Sequence, residues 1–301
     1  MQFLAFVQQL AEQKKRDGHE KTAANYVSAQ RAFRRFLCLS QQESLTLHQI
    51  TEDVVRRFEH HLLHECGVRR NTSSAYMRSL RAAYNEALRL RLCPDRHPFT
   101  GVYTGVDKTC KRAVGERDLL RLFFSDLGAN QHLAFSRDLF YFSFLGHGIP
   151  FIDIAKLCTD DVQGGHLVYA RSKTGQRLMT EICPAMNQII RRWHVTGSRR
   201  LFPIVGFPFR QSDYEVALRR YNRHLKLLAA QFGIQGGLNS YAARHSWASE
   251  AYRLGVAVDT ISSCMGHTTE ATTRIYLRSL STQQTDMQLR PVLDAYQRPL
   301  A

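Results

Sequence analysis

Seven cysteines are present in this 301-residue sequence, yet no two of them form a CxxC pair. Cys38, Cys66, Cys93, Cys110, Cys158, Cys183 and Cys264 are odd in number and scattered. That pattern argues against a disulfide framework and a zinc site, and for reduced thiols inside the cell. Runs of about 18 apolar residues, the length of a membrane-spanning helix, are also missing. The opening MQFLAFVQQLAEQKKR turns amphipathic too soon for a secretory signal, so the expected location is the cytoplasm with no membrane partner. No G-x-x-x-x-G-K-[ST] loop occurs, which removes the usual cradle for a nucleotide triphosphate. Acidic residues are the scarce charge, 26 against 41 Lys and Arg, for a net +15. Neutralising phosphates releases their counterions, so double-stranded DNA is the expected partner. The excess is shared, +6 over residues 1–110 and +9 over 111–301, which suits two lobes that both touch a duplex rather than one basic tail.

Hydrophobic spacing predicts four helices in the first hundred residues. Phe3, Leu4, Phe6, Val7 and Leu10 give the first an apolar face, broken at Asp17-Gly18. The second runs from about Thr22 to Leu39. The third begins at a Thr51 cap and continues through Leu62. The fourth has Asn71 and Thr72 as candidate caps, ahead of Tyr76, Met77, Leu80, Ala83, Tyr84 and Leu88. CPDRHPFTGVYTGVDKTC then shows no helical period and reads as a linker, giving domains 1–107 and 108–301. The second domain is expected to hold helices around Glu116–Phe124, Phe140–Phe144, Met186–His194, Tyr214–Phe232, Ser240–Leu254 and Val258–Met265. A hairpin of His166–Ala170 and Gln176–Ile182 should turn at RSKTG.

The chemistry concentrates late in the chain. Arg244 falls on one predicted helix, His267 follows Gly266 at the end of the next, and Tyr276 comes nine residues later. A guanidinium, an imidazole and a phenol converging on one phosphodiester suit phosphoryl transfer without a metal or other cofactor. The phenol titrates near 10 and needs proton removal and a positive field. Arginine grips two phosphate oxygens through its fork, and histidine donates to the phosphate or manages the tyrosine proton. Lys173, in the predicted hairpin turn, can reach a leaving 5′ oxygen as general acid. On the fourth helix Arg78 and Arg81 share a face and are candidate duplex contacts. Asp153 and Asp160 could suggest a metal pair.

Five segments together resemble the tyrosine recombinases of the phage-integrase type, in appearance those of Bacteroides-type mobile elements. They are NTSSAYMRSLRAAYNEA (71–87), FLGHGIPFIDIAKL (144–157), RSKTG (171–175), YAARHSW (241–247) and MGHTTEATTRIY (265–276). The resemblance implies a mainly α fold, with a four-helix SAM-like core-binding domain followed by a mostly helical catalytic domain bearing a small sheet. It implies a site-specific recombinase that cleaves and rejoins DNA through a 3′-phosphotyrosyl link, working as a homotetramer on two sites, with a possible accessory DNA-bending protein. Tyr276 becomes the nucleophile, Arg244 the second active-site arginine, Lys173 the hairpin lysine and His267 the late histidine. The same resemblance sets aside the metal pair in favour of helix capping and packing for Asp153 and Asp160. The two lobes would clamp the duplex, and a tail carrying Met287, Leu289, Val292, Leu293 and Tyr296 would dock on a neighbouring protomer or on its own lobe.

Two positions depart from that pattern. His147 stands where the family has its first catalytic arginine, and Tyr241 where it has a histidine. Neutral imidazole offers one donor in place of a charged fork, a loss of about 2.7–4 kcal/mol if it resembles removal of an oxyanion donor. Activity is then weak, or uses a protonated His147, or borrows a neighbouring arginine such as Arg137 or Arg177. The alternatives are a DNA-binding protein that no longer cleaves and a topoisomerase of similar tyrosine chemistry.

Overall fold

The computed structural model describes residues 1–39, 44–107, 113–267, 269, 273 and 274. It divides into two units, Met1–Thr109 and Cys110–Ala301.

Four α-helices build the first unit among its described residues: α1 (Phe3–Arg16), α2 (Glu20–Leu39), α3 (Glu52–His60) and α4 (Arg70–Arg89). The apolar stripes read from the sequence all turn inward. Phe33 and Phe36 of α2 close on Phe58 of α3, with ring centroids 4.9 and 5.4 Å apart, and Phe3 of α1 meets Phe33 edge-on. Such aromatic contacts each add about 0.5–1.5 kcal/mol beyond the area they bury. Thr51 caps α3 by accepting from the Val54 amide, and α3 runs on into one π-helical turn, His61–Glu65.

Two expectations for this unit need correction. Asn71 and Thr72 do not cap α4, which starts a residue earlier behind Arg69. Asn71 instead clasps the chain 36 residues on: its amide donates to the Asp107 carbonyl at 3.0 Å, and its carbonyl oxygen accepts from the Asp107 amide at 2.7 Å. Nor is residues 93–107 a plain linker. Phe99 and Val102 are buried in the helical core, the Ser74 hydroxyl donates to the Gly105 carbonyl, and Arg70 lies over the Tyr103 ring at 3.8 Å. A segment without helical period can still complete a core when two apolar side chains anchor it.

The second unit is mainly helical around a small open sheet. Among its described residues the helices are α5 (Glu116–Phe123), α6 (Gln131–Leu145), α7 (Phe151–Lys156), α8 (Pro184–Trp193), α9 (Gln211–Gln231), α10 (Ala242–Arg253) and α11 (Val258–Cys264). The predicted hairpin forms as β2 (His166–Ala170) and β3 (Arg177–Glu181), antiparallel with Ala170 opposite Arg177. A short β1 (Val162–Gln163), not foreseen, pairs with β2 to give the order β1-β2-β3. Phe140 and Phe142 of α6, Phe151 of α7 and Tyr221 and Leu225 of α9 fill the core, with Phe151 and Tyr221 stacked 4.2 Å apart. Among the described residues no helix is long and apolar enough to cross a membrane.

Candidate active site

The chain turns back on itself after α6 through a left-handed corner, and that corner founds the site. His147 and Gly148 both have positive φ, 63° and 74°, a region histidine enters far more readily than branched residues and glycine enters freely. The amides of Gly148 and Ile149 both donate to the Ser143 carbonyl, and the Ser143 hydroxyl donates to the Ile149 carbonyl. The corner therefore holds the Gly148 carbonyl toward α10, where Arg244 Nη1 donates to it at 2.7 Å.

Gly148 is also the point of closest approach. A Cβ there would stand 2.7 Å from Arg244 Cα, and any side chain would have to take a left-handed backbone. Gly148→Ala is accordingly expected to cost about 3 kcal/mol of stability, overlap and strain combined. Chemical denaturation measures it, and a loss below about 1 kcal/mol would show that the corner relaxes away from α10.

Arg244 occupies the first turn of α10 and is only 2% exposed. Its Nη2 donates to the Met265 carbonyl and, at 3.0 Å, to His267 Nε2. Because arginine can only donate, His267 Nε2 must be bare of its proton. The other nitrogen, Nδ1, then carries the proton and donates to the Thr273 hydroxyl at 2.8 Å. His267 owes its position to the end of α11: Gly266, at φ 62°, lets the His267 amide reach back to the Ser262 carbonyl. Burial first, and then the charges of Arg244, Arg171 and Lys173, push the His267 imidazole down to about 3. The resting site thus holds a neutral histidine against a charged arginine.

The hairpin turn supplies two more cations. Lys173 is exposed at its tip, while Arg171 at its base is 7% exposed and donates from Nη1 to the Gly266 carbonyl. Arg171 Nε is buried with no acceptor among the described residues. The turn is pinned from below by Asp153 of α7, whose buried carboxylate accepts from the Ser172 amide at 2.9 Å. Asp153 is therefore a capping residue, but of the lysine turn rather than of its own helix. Asp160 pairs with Arg199 instead.

His147 sits beside this cluster. Its Nδ1 lies 3.4 Å from the Thr180 hydroxyl, and its ring is 5.0 Å from that of Trp247. Burial lowers its proton affinity, which works against a protonated His147. Arg137 is committed elsewhere, donating to Asp138 and to the carbonyls of Phe123 and Ser125 from a buried position. Arg177 is exposed on β3. Tyr241 is 58% exposed at the start of α10. Burial, together with Tyr241 and Asp153, pushes the Tyr214 phenol up to about 12. Tyr276 and the tail from Met287 to Tyr296 lie outside the described residues. On α4 of the first unit, Arg78 and Arg81 are both exposed, and Arg81 donates to the Thr104 hydroxyl at 3.0 Å.

Arg171 and Asp153 were not singled out as site residues because their partners, Gly266 and Ser172, are 95 and 19 residues away in sequence. The arginine two places before Lys173 was the available signal.

The depressed histidines carry a stability consequence. An unfolded histidine takes up a proton near pH 6.5, whereas folded His267 refuses it until about 3 and His147 is shifted the same way. The unfolded chain binds more protons across that window, so stability is full above about 6.5 and is lost as pH falls toward 3. Thermal unfolding of the native chain should show Tm falling between pH 7 and 5, with a shallower fall in His267→Gln. Equal slopes would count against the neutral assignment.

Known proteins share the domain families and the fold of this chain. Residues 2–102 match the phage integrase SAM-like domain and residues 134–283 match the phage integrase family. The chain belongs to the phage integrase, or tyrosine recombinase, superfamily. Its fold is similar to a lambda integrase dimer bound to a COC′ core site (TM-score 0.70, 14% identity, 93% of this chain and 79% of that one). It is also similar to a lambda integrase tetramer bound to a Holliday junction (TM-score 0.71, 14% identity, 93% and 79%). The Tn1549 transposon integrase in complex with a circular intermediate DNA gives a TM-score of 0.64 at 15% identity, covering 97% of this chain and 99% of that one. No protein of curated function matches the sequence.

Proposed function

We propose that this chain is a site-specific recombinase that cleaves duplex DNA with Tyr276, holds the strand as a 3′-phosphotyrosyl link and rejoins it to a new partner. The single observation that carries the reading is the Arg244–His267 pair, drawn together from α10 and the end of α11 beside the Arg171 and Lys173 turn. A phosphate entering there meets Arg244, already aimed by the Gly148 and Met265 carbonyls. A preset donor costs no reorganisation as charge develops in the transition state. The phosphate's negative charge offsets the cations that depress His267, and so restores basicity to Nε2 when the tyrosine proton must leave. Lys173, exposed at the turn, supplies the proton that the departing 5′ oxygen needs. The covalent link conserves the bond energy, so no nucleotide is consumed.

Arg171 supplies the positive charge that His147 does not. It is buried, always protonated, and close enough to lower the proton affinity of His267. Asp153 acts on the same turn by fixing its height. The exposed arginines of α4, Arg78 and Arg81, add phosphate contacts that set register without reading sequence. Strand exchange by four protomers on two sites is supported by the likeness to a lambda integrase tetramer bound to a Holliday junction.

The test is to incubate the native chain with a nicked suicide duplex from its own locus and look for a denaturation-resistant protein–DNA band. A band is expected. Specific binding with no band across pH and salt would overturn cleavage and favour a DNA-binding protein disabled at His147.

A further inference from the structure

The π-helical turn after α3 brings together three side chains that the DNA chemistry does not use. His61 is buried, 7% exposed, with its ring 5.6 Å from that of Phe36. Its Nδ1 lies 2.8 Å from Glu65 Oε2, and its Nε2 lies 3.2 Å from the Cys66 sulfur. An ionised carboxylate only accepts, so the proton of the neutral ring belongs on Nδ1, donated to Glu65. That leaves the Nε2 lone pair facing the Cys66 thiol, which donates to it. Nucleophile, base and orienting acid thus stand in sequence within hydrogen-bond reach, the arrangement that activates a thiol.

The surroundings leave room for a reactant. Cys66 is exposed, and a Cβ at the next residue, Gly67, would meet nothing within 4 Å. An exposed basic side chain follows at Arg69, which suits an electrophile carrying carboxylates. The extra residue of the π turn is what allows the five-residue spacing: the Cys66 amide closes on the His61 carbonyl at 2.9 Å, placing Cys66 back over the ring of His61.

We infer that Cys66 is a thiol–disulfide exchange site, activated by His61 and Glu65, whose reactant is a small acidic disulfide. The Cys66 proton passes to His61 Nε2 as the sulfur attacks one sulfur of the disulfide. A new S–S bond forms to Cys66, the old S–S bond breaks, and the departing thiolate takes the proton from His61. Cys66 is oxidised to a mixed disulfide and half of the reactant is reduced to a thiol. A second thiol reverses the step.

Cys38, also exposed, provides an internal comparison in the same chain. The full-length protein would be treated with glutathione disulfide at neutral pH and the modification of each cysteine followed by mass spectrometry. Cys66 is expected to react about tenfold faster than Cys38, a modest share of what a positioned base can contribute. His61→Gln should bring Cys66 down to the rate of Cys38. Because His61 is buried and its variant can fail to fold, Glu65→Gln is the second arm: Glu65 is largely exposed, and its loss should slow Cys66 severalfold with the helical signal intact. Equal rates at Cys66 and Cys38 in the native chain, or a Cys66 rate unchanged in Glu65→Gln, would overturn the assignment.

Discussion

Tyr276→Phe is expected to bind the native DNA site with unchanged affinity and to yield no covalent adduct at all. The substitution removes a single oxygen and keeps the ring, so binding should survive while the oxygen proposed as the nucleophile is lost. A gel-shift titration alongside the suicide-duplex trap reads both halves. If adduct persists in the variant, another residue is the nucleophile and the placement of Tyr276 is wrong. If binding collapses too, the phenol is serving the fold or the DNA interface, and the trap would need a different control.

Arg171→Ala carries the next largest effect. The cleavage rate should fall about a hundredfold to a thousandfold, the magnitude found when one preorganised donor is removed from a charge-stabilising site. Arg171→Lys, which keeps charge but loses the planar fork, should recover part of that loss. DNA affinity should change far less, because one cation is a small part of the electrostatic total. A purely structural arginine would behave differently, since Lys would not rescue and Tm would fall in step with activity. The pH–rate profile separates the cases further. Removing one of the cations that depress His267 should shift the acidic limb of the profile upward in pH, toward the ordinary histidine value. An unmoved limb in Arg171→Ala would remove Arg171 from the electrostatics of His267.

The fold was largely legible because its helices are amphipathic. The stripes of Phe3 to Leu10 and of Tyr26 to Leu37 have a single buried face, and the hairpin announced itself by alternation around a glycine turn. Helix α6 was half seen for the opposite reason. Ser136, Arg137 and Asp138 are buried along with Leu139 and Phe140, so the helix has no polar face to set a period, and only its aromatic end stood out. Helix α7 and β1 are too short to show any period. In the candidate site, the approach of Arg244 to His267 was foreshadowed by the motifs that carry them, whereas the contacts of Arg171 and Asp153 with residues farther along the chain were not. Asn71 illustrates the limit. A short polar residue before an apolar run is a good cap by local rules, and what overrode the rule was a partner at Asp107.

That same clasp sets an order of events for a chain leaving the ribosome. The aromatic centre of the first unit is encoded within its first 60 residues, but Phe99 and Val102, and the Asp107 that locks onto Asn71, are made last. Until they emerge, Tyr84 of α4 lacks the Phe99 ring that it meets at 6.1 Å in the finished unit, and the nascent unit is a partly closed bundle. Chaperone dependence of synthesis should therefore end not with the last helix, at Arg89, but some twenty residues later, once the returning segment has sealed the unit.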